Sequence, residues 1–176
     1  DYNLEQEINN ITIIWESEFT NCNKFFYQLS NITYIDLSRF NSSLVTKSTY
    51  MFDSCTSLTS INLSNFNTSS INDMGNMFSN CSSLLELDLS EFDTSKSTSF
   101  GQMFGYCSSI KSLNLSNFDF SECKFLHMMF KDCFSLISIE ITSFYSGNLI
   151  NINEIFKGCS SLISLDLRTF KDIYFR

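Results

Sequence analysis

Cysteines are the residues in this 176-residue chain with the most reactive side chains, and their spacing is regular. Thiols at fixed spacing can bind zinc, form disulfides or act as nucleophiles. Five of them lie 26 residues apart: Cys55, Cys81, Cys107, Cys133 and Cys159. A zinc site uses pairs at short spacing such as C-x2-C, and the sequence contains no such pair. A nucleophilic cysteine uses an adjacent base, and the single histidine, His127, has no evident partner.

The cysteine positions instead predict a structural role. All seven cysteines occupy positions that hold apolar residues in other copies of the same 26-residue pattern, such as Leu29 at the position of Cys55. We interpret them as buried free thiols that act as small hydrophobic side chains. Disulfides between neighbouring repeats are the alternative. Because seven is odd, at least one thiol then stays free or pairs between chains.

A second set of chemically capable residues recurs with the same spacing. The column is mostly acidic and reads Asp36, Asn62, Asp88, Asn114, Glu140 and Asp166. Carboxylates that face solvent in one column attract a basic partner or a cation. We therefore take this column as a candidate partner-binding surface, with a purely solvated face that keeps a sheet soluble as the alternative.

The elements that carry these residues follow from nine apolar positions per repeat. Across six repeats these make 54 positions, and only Ser48 and Ser97 are not apolar. Within residues 74–81 the apolar spacing is i, i+3, i+4, i+7, which predicts one face of a short helix. Leu87 and Leu89 flank Asp88, which predicts a strand with one inward side. Each repeat is thus predicted to be one short helix and one short strand, stacked into an α/β solenoid with a parallel sheet on its concave face.

The chain divides into an end segment and a repeat array. Residues 1–18 are predicted to form an N-terminal capping strand, in which Ile11 aligns with Leu37 and Trp15 closes the stack. Residues 19–176 are predicted to be six 26-residue repeats. Because the sequence stops just after a strand, with no polar capping repeat, we expect more chain or a partner beyond Arg176.

The repeat also resembles a known family. The segment "LTSINLSNF" has the L-x-x-L-x-L spacing of a leucine-rich repeat. The unit "MFSNCSSLLELDLSEFDTS" resembles the 26-residue repeat of BspA-like leucine-rich-repeat proteins, over about residues 19–170. That family consists largely of cell-surface or secreted proteins with roles in adhesion and protein binding. The resemblance therefore implies a surface-binding role for this chain.

Departures from the repeat mark another candidate contact surface. The fifth unit has apolar residues where other units have polar ones, at Phe120, Phe125, Met128 and Phe134. Four such residues in one unit are predicted to form an exposed apolar patch, which is typical of a contact site. The alternative is local packing against the loop around Tyr145 and Gly147, which also breaks the pattern.

Glycosylation is a third expectation. N-x-[ST] triplets give candidate acceptors in the following positions: Asn10, Asn31, Asn41, Asn67 and Asn80. Two more triplets, at Asn62 and Asn114, lie on the predicted sheet face, where a glycan would obstruct binding. Serine and asparagine together make 49 of the 176 residues, so the composition itself produces such triplets.

The composition excludes several classes of function. The net charge is −8 without any Lys/Arg cluster, so neither nucleic acid nor an anionic membrane is an expected partner. No apolar run is long enough to span a membrane. We see no Gly-rich phosphate loop, metal spacing or catalytic constellation, and therefore expect neither an enzyme nor a cofactor.

The sequence thus favours a non-catalytic module that binds a protein or glycan at the cell surface or in the extracellular space. Its partners would include other proteins, glycans or further copies of the chain itself. A structural scaffold or spacer inside a cell is the first alternative, and a calcium-dependent adhesin that uses the acidic column is the second.

Overall fold

The 26-residue period corresponds to one rung of a solenoid, and successive rungs pair in parallel. A computed structural model describes residues 10–11, 18–142, 144 and 147–165. Five short strands lie on one side of the solenoid: β1 (Asn10–Ile11), β2 (Tyr34–Asp36), β3 (Ser60–Asn62), β4 (Ser112–Asn114) and β5 (Ser138–Glu140). They form two parallel sheets, ordered β1-β2-β3 and β4-β5. The predicted repeat solenoid is therefore present.

The strand register follows the sequence period. Ile35 lies opposite Ile61, and Leu113 lies opposite Ile139, both with an offset of 26 residues. The first strand differs, because Ile11 lies opposite Ile35 with an offset of 24, rather than opposite Leu37. Residues 1–9 and 12–17 of the predicted N-terminal cap, including Trp15, lie outside the described residues.

On the other side of the rungs, the structure contradicts the predicted short helix. Residues 75–80 and their equivalents form consecutive turns, and the described residues contain no helix. Their N–H groups alternate between two kinds of acceptor. The Met77 N–H donates to the Met74 carbonyl at 3.2 Å, whereas the Phe78 N–H donates to the Met103 carbonyl in the next rung at 2.9 Å. A helix would use all of these donors within the segment, so the chain of turns gains rung-to-rung bonds that a helix cannot make.

Left-handed backbone conformations make these turns possible. Two residues per rung, four positions apart, have a φ between 55° and 80°. The two columns are Lys24, Tyr50, Asn76, Gln102, Met128, Glu154 and Gln28, Ser54, Asn80, Tyr106, Asp132, Gly158. Only Gly158 is a glycine, and a non-glycine residue in this region costs roughly 1–2 kcal/mol. The hydrogen bonds between rungs offset this strain.

The core confirms the apolar positions read from the sequence. Every one of the described positions is buried or packs against the buried cluster, including Ser48 and Ser97. One column of six phenylalanines forms a continuous stack from Phe26 to Phe156. Its successive ring centroids lie 5.3 to 5.9 Å apart with planes within 11° of each other. Stacking of identical rungs therefore buries what no single rung could bury alone.

Candidate functional site

The strand side presents the acidic column that the sequence indicates. The middle residue of β2, β3 and β4 is buried, so the residues on either side of it point outward. Asp36, Asp88, Asn114 and Glu140 are exposed, and Asn62 is partly exposed. We call the outward residues of these rungs the strand face. Asp166, the last member of the predicted column, lies outside the described residues.

Most of this column also closes the strands. The Asp36 carboxylate accepts a hydrogen bond from the Ser38 N–H at 2.9 Å, and Asp88 accepts one from the Ser90 N–H at 3.0 Å. Asn62 and Asn114 make the same bond to the residue two positions on. These are Asx turns, in which a short polar side chain replaces a backbone acceptor. The hydrogen bonds lower the pKa of Asp36 and Asp88, so both side chains stay ionised at neutral pH.

A second column of Asx turns lies in the loop after the strands. Its acceptors and donors are Asn41 with Ser43, Asn67 with Ser69, Asp93 with Ser95 and Asp119 with Ser121. Sequence reasoning missed these turns and attributed the recurring Asn-x-Ser triplets to composition. The recurrence of Asn/Asp-x-Ser every 26 residues was the signal that could have revealed them.

The Asx turns bear on the candidate glycosylation sites. Asn41 and Asn67 are exposed, and each accepts a hydrogen bond from the serine of its own triplet. Asn31 is exposed in a turn, whereas Asn10 lies in β1. Asn80 has a φ of 55°, and its amide donates to the Ser54 hydroxyl at 3.3 Å. The triplets at Asn41 and Asn67 thus have a structural reason to occur, and glycosylation stays a prediction at all five positions.

The strand face is interrupted between β3 and β4. The Leu37 N–H donates to the Asn62 carbonyl at 2.9 Å, and the Leu115 N–H donates to the Glu140 carbonyl at 2.7 Å. The equivalent bonds from Leu63 to residue 88 and from Leu89 to residue 114 are not formed. Residues 84–89 accordingly have no strand, although they lie between two rungs that do. One rung of this side is therefore unpaired along its central part.

A groove opens at the unpaired rung. It has a volume of about 350 Å³ and is lined by Ser60, Ile61, Glu86, Leu87 and Asp88. We call it the β3–β4 groove. The phenylalanines that follow each strand are also more widely spaced here. Their ring centroids are 5.9 Å apart before this rung, but 6.2 and 6.4 Å apart on its two sides.

Two side chains that join neighbouring rungs are replaced at this point. The Thr59 hydroxyl donates to the Thr33 carbonyl at 2.9 Å, but its equivalent one rung later is Leu85, whose side chain has no donor. The Asn65 amide donates to the Ser38 carbonyl at 3.3 Å, but its equivalent is Glu91, which also has no donor. The Leu85 N–H still donates to the Thr59 carbonyl at 3.2 Å, but these two side-chain bonds and the backbone bond from Leu63 to residue 88 are missing.

The four residues predicted to form an exposed apolar patch in the fifth unit do not all lie on the surface. Phe120 is only 2% exposed, and its ring lies 5.9 Å from Phe118 and 5.0 Å from Phe144. Its equivalents Thr68 and Thr94 in the two preceding rungs are also buried, so this position points inward in all three rungs. Phe120 thus packs inside the fold, whereas Tyr145 of the loop named in the alternative lies outside the described residues.

The other three members of that set differ in exposure. Phe125 and Phe134 are 36% and 52% exposed, and Met128 is partly buried at a left-handed φ of 57°. Phe125 pairs with the neighbouring rungs through single parallel bridges. The structure thus leaves Phe125 and Phe134 as exposed aromatics and removes Phe120 from the surface.

Comparison with protein families identifies the family to which the chain belongs. The model of a family described as "Mycoplasma protein of unknown function, DUF285" matches residues 2–112 and, again, residues 59–170. The chain belongs to the DUF285 family. Two matches to one family model within one chain agree with its internal repeat. No curated protein matches this sequence.

Two solved structures resemble the fold of this DUF285 chain. A leucine-rich-repeat protein of T. pallidum has a TM-score of 0.53 at 21% identity, over 80% of this chain and 58% of its own. A leucine-rich-repeat protein from Bacteroides ovatus has a TM-score of 0.55 at 20% identity, over 87% of this chain and 37% of its own. The chain therefore has a leucine-rich-repeat fold and spans less than two thirds of either relative.

The cysteines of this DUF285 chain hold neighbouring rungs together. Each of the five regularly spaced thiols contacts a phenylalanine carbonyl in the preceding rung, with sulfur–oxygen distances of 3.0 to 3.2 Å. All seven cysteines are free, six are buried and Cys159 is partly buried. Burial raises the pKa of the Cys55 thiol to about 11 and that of Cys123 to about 12. Such thiols carry little thiolate at neutral pH and are poor nucleophiles.

The single histidine fills a space above a glycine. The His127 ring lies against Gly101 so closely that a side chain at position 101 would overlap it. Its Nδ1 is buried and, among the described residues, has no hydrogen-bond partner. In that part of the chain no group of three or more His, Cys, Asp or Glu side chains is arranged to hold a metal ion. There is likewise no helix there of the length and hydrophobicity that crossing a bilayer would take.

Proposed function

We propose that this DUF285 chain is a non-catalytic repeat module that binds a protein partner through its strand face, at the cell surface or in the extracellular space. The observation that carries the proposal is the strand face itself. Ionised Asp36 and Asp88 and exposed Glu140 stand on rungs that the core and the Asx turns hold in place. A surface of this kind loses little conformational entropy when a partner binds.

The charge of the face indicates the chemistry of the partner. The chain carries a net charge of −8, and the outward strand column is mostly acidic. Rim charges of one sign steer a partner of the opposite sign and raise its association rate. We therefore propose a partner with a basic contact surface, bound by many polar contacts that repeat from rung to rung.

The surface location rests on the resemblance of the repeat to BspA-like leucine-rich-repeat proteins. The leucine-rich-repeat fold supports a binding module, and the location comes from the resemblance alone. Brief protease treatment of intact native cells tests it. Loss of the protein while a cytoplasmic marker is preserved supports the surface location, and its survival contradicts it.

Charge reversal on the strand face tests the binding role. Asp36→Lys combined with Glu140→Lys places positive charge at two exposed positions. We expect the variant to lose the proteins that the wild-type chain captures from native surroundings. Glu122→Lys combined with Glu91→Lys changes the charge equally at exposed loop positions and serves as the control. Equal capture by both variants would contradict a binding role for the strand face.

A structural scaffold inside a cell is the second candidate. Seven free thiols favour it, because oxidising compartments favour disulfides. Protection of the protein from protease in intact cells, together with cross-links to the same neighbours for wild type and the strand-face variant, would support this candidate instead.

A further inference from the structure

We infer that this chain associates with a second copy of itself through an exposed apolar patch at the corner that leads into β5. The patch consists of Phe134, Ile137 and Ile163, which are 52%, 40% and 81% exposed. We call it the corner patch. It lies beside the strand face rather than on it, so the inference goes beyond the proposed function and does not depend on it. A dimer of this kind presents two strand faces, which raises avidity toward a partner with repeated sites.

Backbone hydrogen bonds hold the three side chains on one corner. The Ile163 N–H donates to the Ile137 carbonyl at 3.2 Å, so the two isoleucines lie next to each other in consecutive rungs. Phe134 precedes Ile137 by three residues, across a turn closed by the bond from the Leu136 N–H to the Cys133 carbonyl at 3.1 Å. Small residues adjoin the patch, namely Ser108, Ser135, Ser138, Ser160, Ser161 and Ser164. They allow another surface to approach the three apolar side chains closely.

Polar residues serve the fold better than apolar ones at this corner. Thr59 is an equivalent of Ile137, and its hydroxyl donates to a carbonyl of the preceding rung at 2.9 Å. Ser108 is the equivalent of Phe134 one rung earlier, and its hydroxyl makes the same kind of bond at 3.2 Å. An isoleucine or phenylalanine gives up this bond and exposes apolar surface to water. Contiguous exposed apolar surface is typical of a contact site.

Charge decides between a second copy and the basic partner proposed for the strand face. Residues 1–110 contain 12 carboxylate and 4 basic side chains, whereas residues 111–165 contain 5 and 4. The excess of negative charge therefore lies before the rungs that carry the corner patch. Two copies that meet there bring nearly neutral surfaces together, so their repulsion is small. A basic partner is disfavoured, since the charged residue next to Ile137 in the preceding rung is Lys111.

The corner patch is also complementary to itself. Its two isoleucines are one rung apart, so a two-fold axis between their rungs places Ile137 of each copy against Ile163 of the other. Such an isologous contact closes after two copies. Only three apolar side chains per copy contribute, which is typical of small, transient interfaces rather than of obligate dimers. We therefore expect a reversible dimer whose population depends on protein concentration.

Analytical ultracentrifugation of the intact chain tests the inference. We expect the weight-average mass to rise with protein concentration from 20.3 kDa toward twice that value. Ile137→Thr combined with Ile163→Thr introduces the residue type found at Thr33 and Thr59, which the rungs already accommodate. This variant should keep a melting temperature near that of wild type and remain a monomer at the concentrations at which wild type dimerises.

A matched control changes the other exposed apolar pair of the same two rungs. Phe125 and Ile150 are 36% and 69% exposed and lie before the turns, whereas the corner patch lies after them. Phe125→Ser combined with Ile150→Thr introduces the residue types of their equivalents Ser99 and Thr98. We expect this control to dimerise as wild type does.

Every other outcome overturns the inference. A wild-type chain that stays monomeric at all concentrations shows that the corner patch does not join copies. Equal dimerisation of wild type and both variants places the interface elsewhere. Loss of dimerisation in both variants, or growth into ever larger species, indicates unspecific apolar association rather than a two-fold contact. Capture of native partners through the strand face is measured separately, so the proposed function stands or falls by its own test.

Discussion

At the scale of single residues, exposed Asn and Asp side chains at the rung corners stabilise the turns in which they lie. Asn41, Asn67 and Asp93 occupy one corner in successive rungs and accept the same hydrogen bond. An aspartate and an asparagine are interchangeable there because only the side-chain oxygen is used. The two residues differ only in that aspartate titrates.

That difference predicts loss of stability in acid. Hydrogen bonds from Ser38, Ser90 and Ser95 lower the pKa of Asp36, Asp88 and Asp93 below their ordinary value of 3.8. A lowered pKa in the folded chain means that the stabilisation is present above the unfolded value and lost as the pH falls through the folded value. We expect the free energy of unfolding to fall below about pH 4.

Asparagine substitution isolates this effect. Asp36→Asn, Asp88→Asn and Asp93→Asn together keep the acceptor oxygens, so urea unfolding between pH 5 and pH 2 should show a flatter profile than wild type. Glu18→Gln, Glu91→Gln and Glu122→Gln make the same change of charge at residues without this turn. Identical profiles for the two triple variants would remove the Asx turns as the cause.

The contact of His127 with Gly101 gives a second residue-scale prediction. A methyl group at position 101 would overlap the His127 ring. Gly101→Ala is therefore expected to lower the free energy of unfolding by about 1–3 kcal/mol, the usual cost of overpacking. The double variant Gly101→Ala, His127→Gly should recover most of this loss in chemical denaturation. Failure of the double variant to recover would show that the cost at Gly101 lies in its backbone.

At the scale of elements, the chain of turns shows why the sequence pattern predicted a helix. Met74, Met77, Phe78 and Cys81 point to the core with helical spacing, and all four are buried. Consecutive turns return to the same side after three or four residues, as a helix does. The pattern therefore fixes which side chains face inward. It cannot fix where the N–H groups bond, because that depends on the neighbouring rung.

Left-handed residues provide the test of the turn element. Gln102 has a φ of 55° and lies in a column of non-glycine residues. Gln102→Gly removes the steric cost of a side chain in that region and should raise the melting temperature, whereas Gln102→Ala keeps it. Gly at such a position is favoured by roughly 1 kcal/mol over a strained side chain. A helix at residues 101–106 would reverse the order, because alanine is then the better residue.

At the scale of the whole molecule, the sequence predicted the stack but not its interruption. The apolar positions of the unpaired rung, Leu84, Leu87 and Leu89, match the repeat as well as any other. Because the repeat is recognised from these apolar positions, the sequence predicted a regular rung here. The residues between them differ, because Leu85 and Glu91 stand where Thr59 and Asn65 donate side-chain hydrogen bonds to the preceding rung. A hydrogen bond between rungs depends on residues of two repeats, so the sequence of one repeat does not reveal it.

The candidate site was likewise predicted only in part. The acidic column was predicted from the sequence and is present on the strand face from Asp36 to Glu140. The β3–β4 groove was not predicted, since it depends on hydrogen bonds that fail to form. Phe120 was misplaced because its equivalents Thr68 and Thr94 read as surface residues. Their hydroxyls in fact bond to the next rung, to the backbone of Asp93 and Asp119.

Amide hydrogen exchange of the native protein at single-residue resolution tests the central claim most directly, namely that one rung lacks the backbone hydrogen bonds that other rungs make along the central part of the strand side. We expect slow exchange at Leu37 and Leu115, whose N–H groups bond to the next rung, and exchange faster by orders of magnitude at Leu63 and Leu89. All four lie at the same place in their rungs and are buried, so each serves as a control for the others. Equal protection at all four amides would contradict the unpaired rung and, with it, the groove.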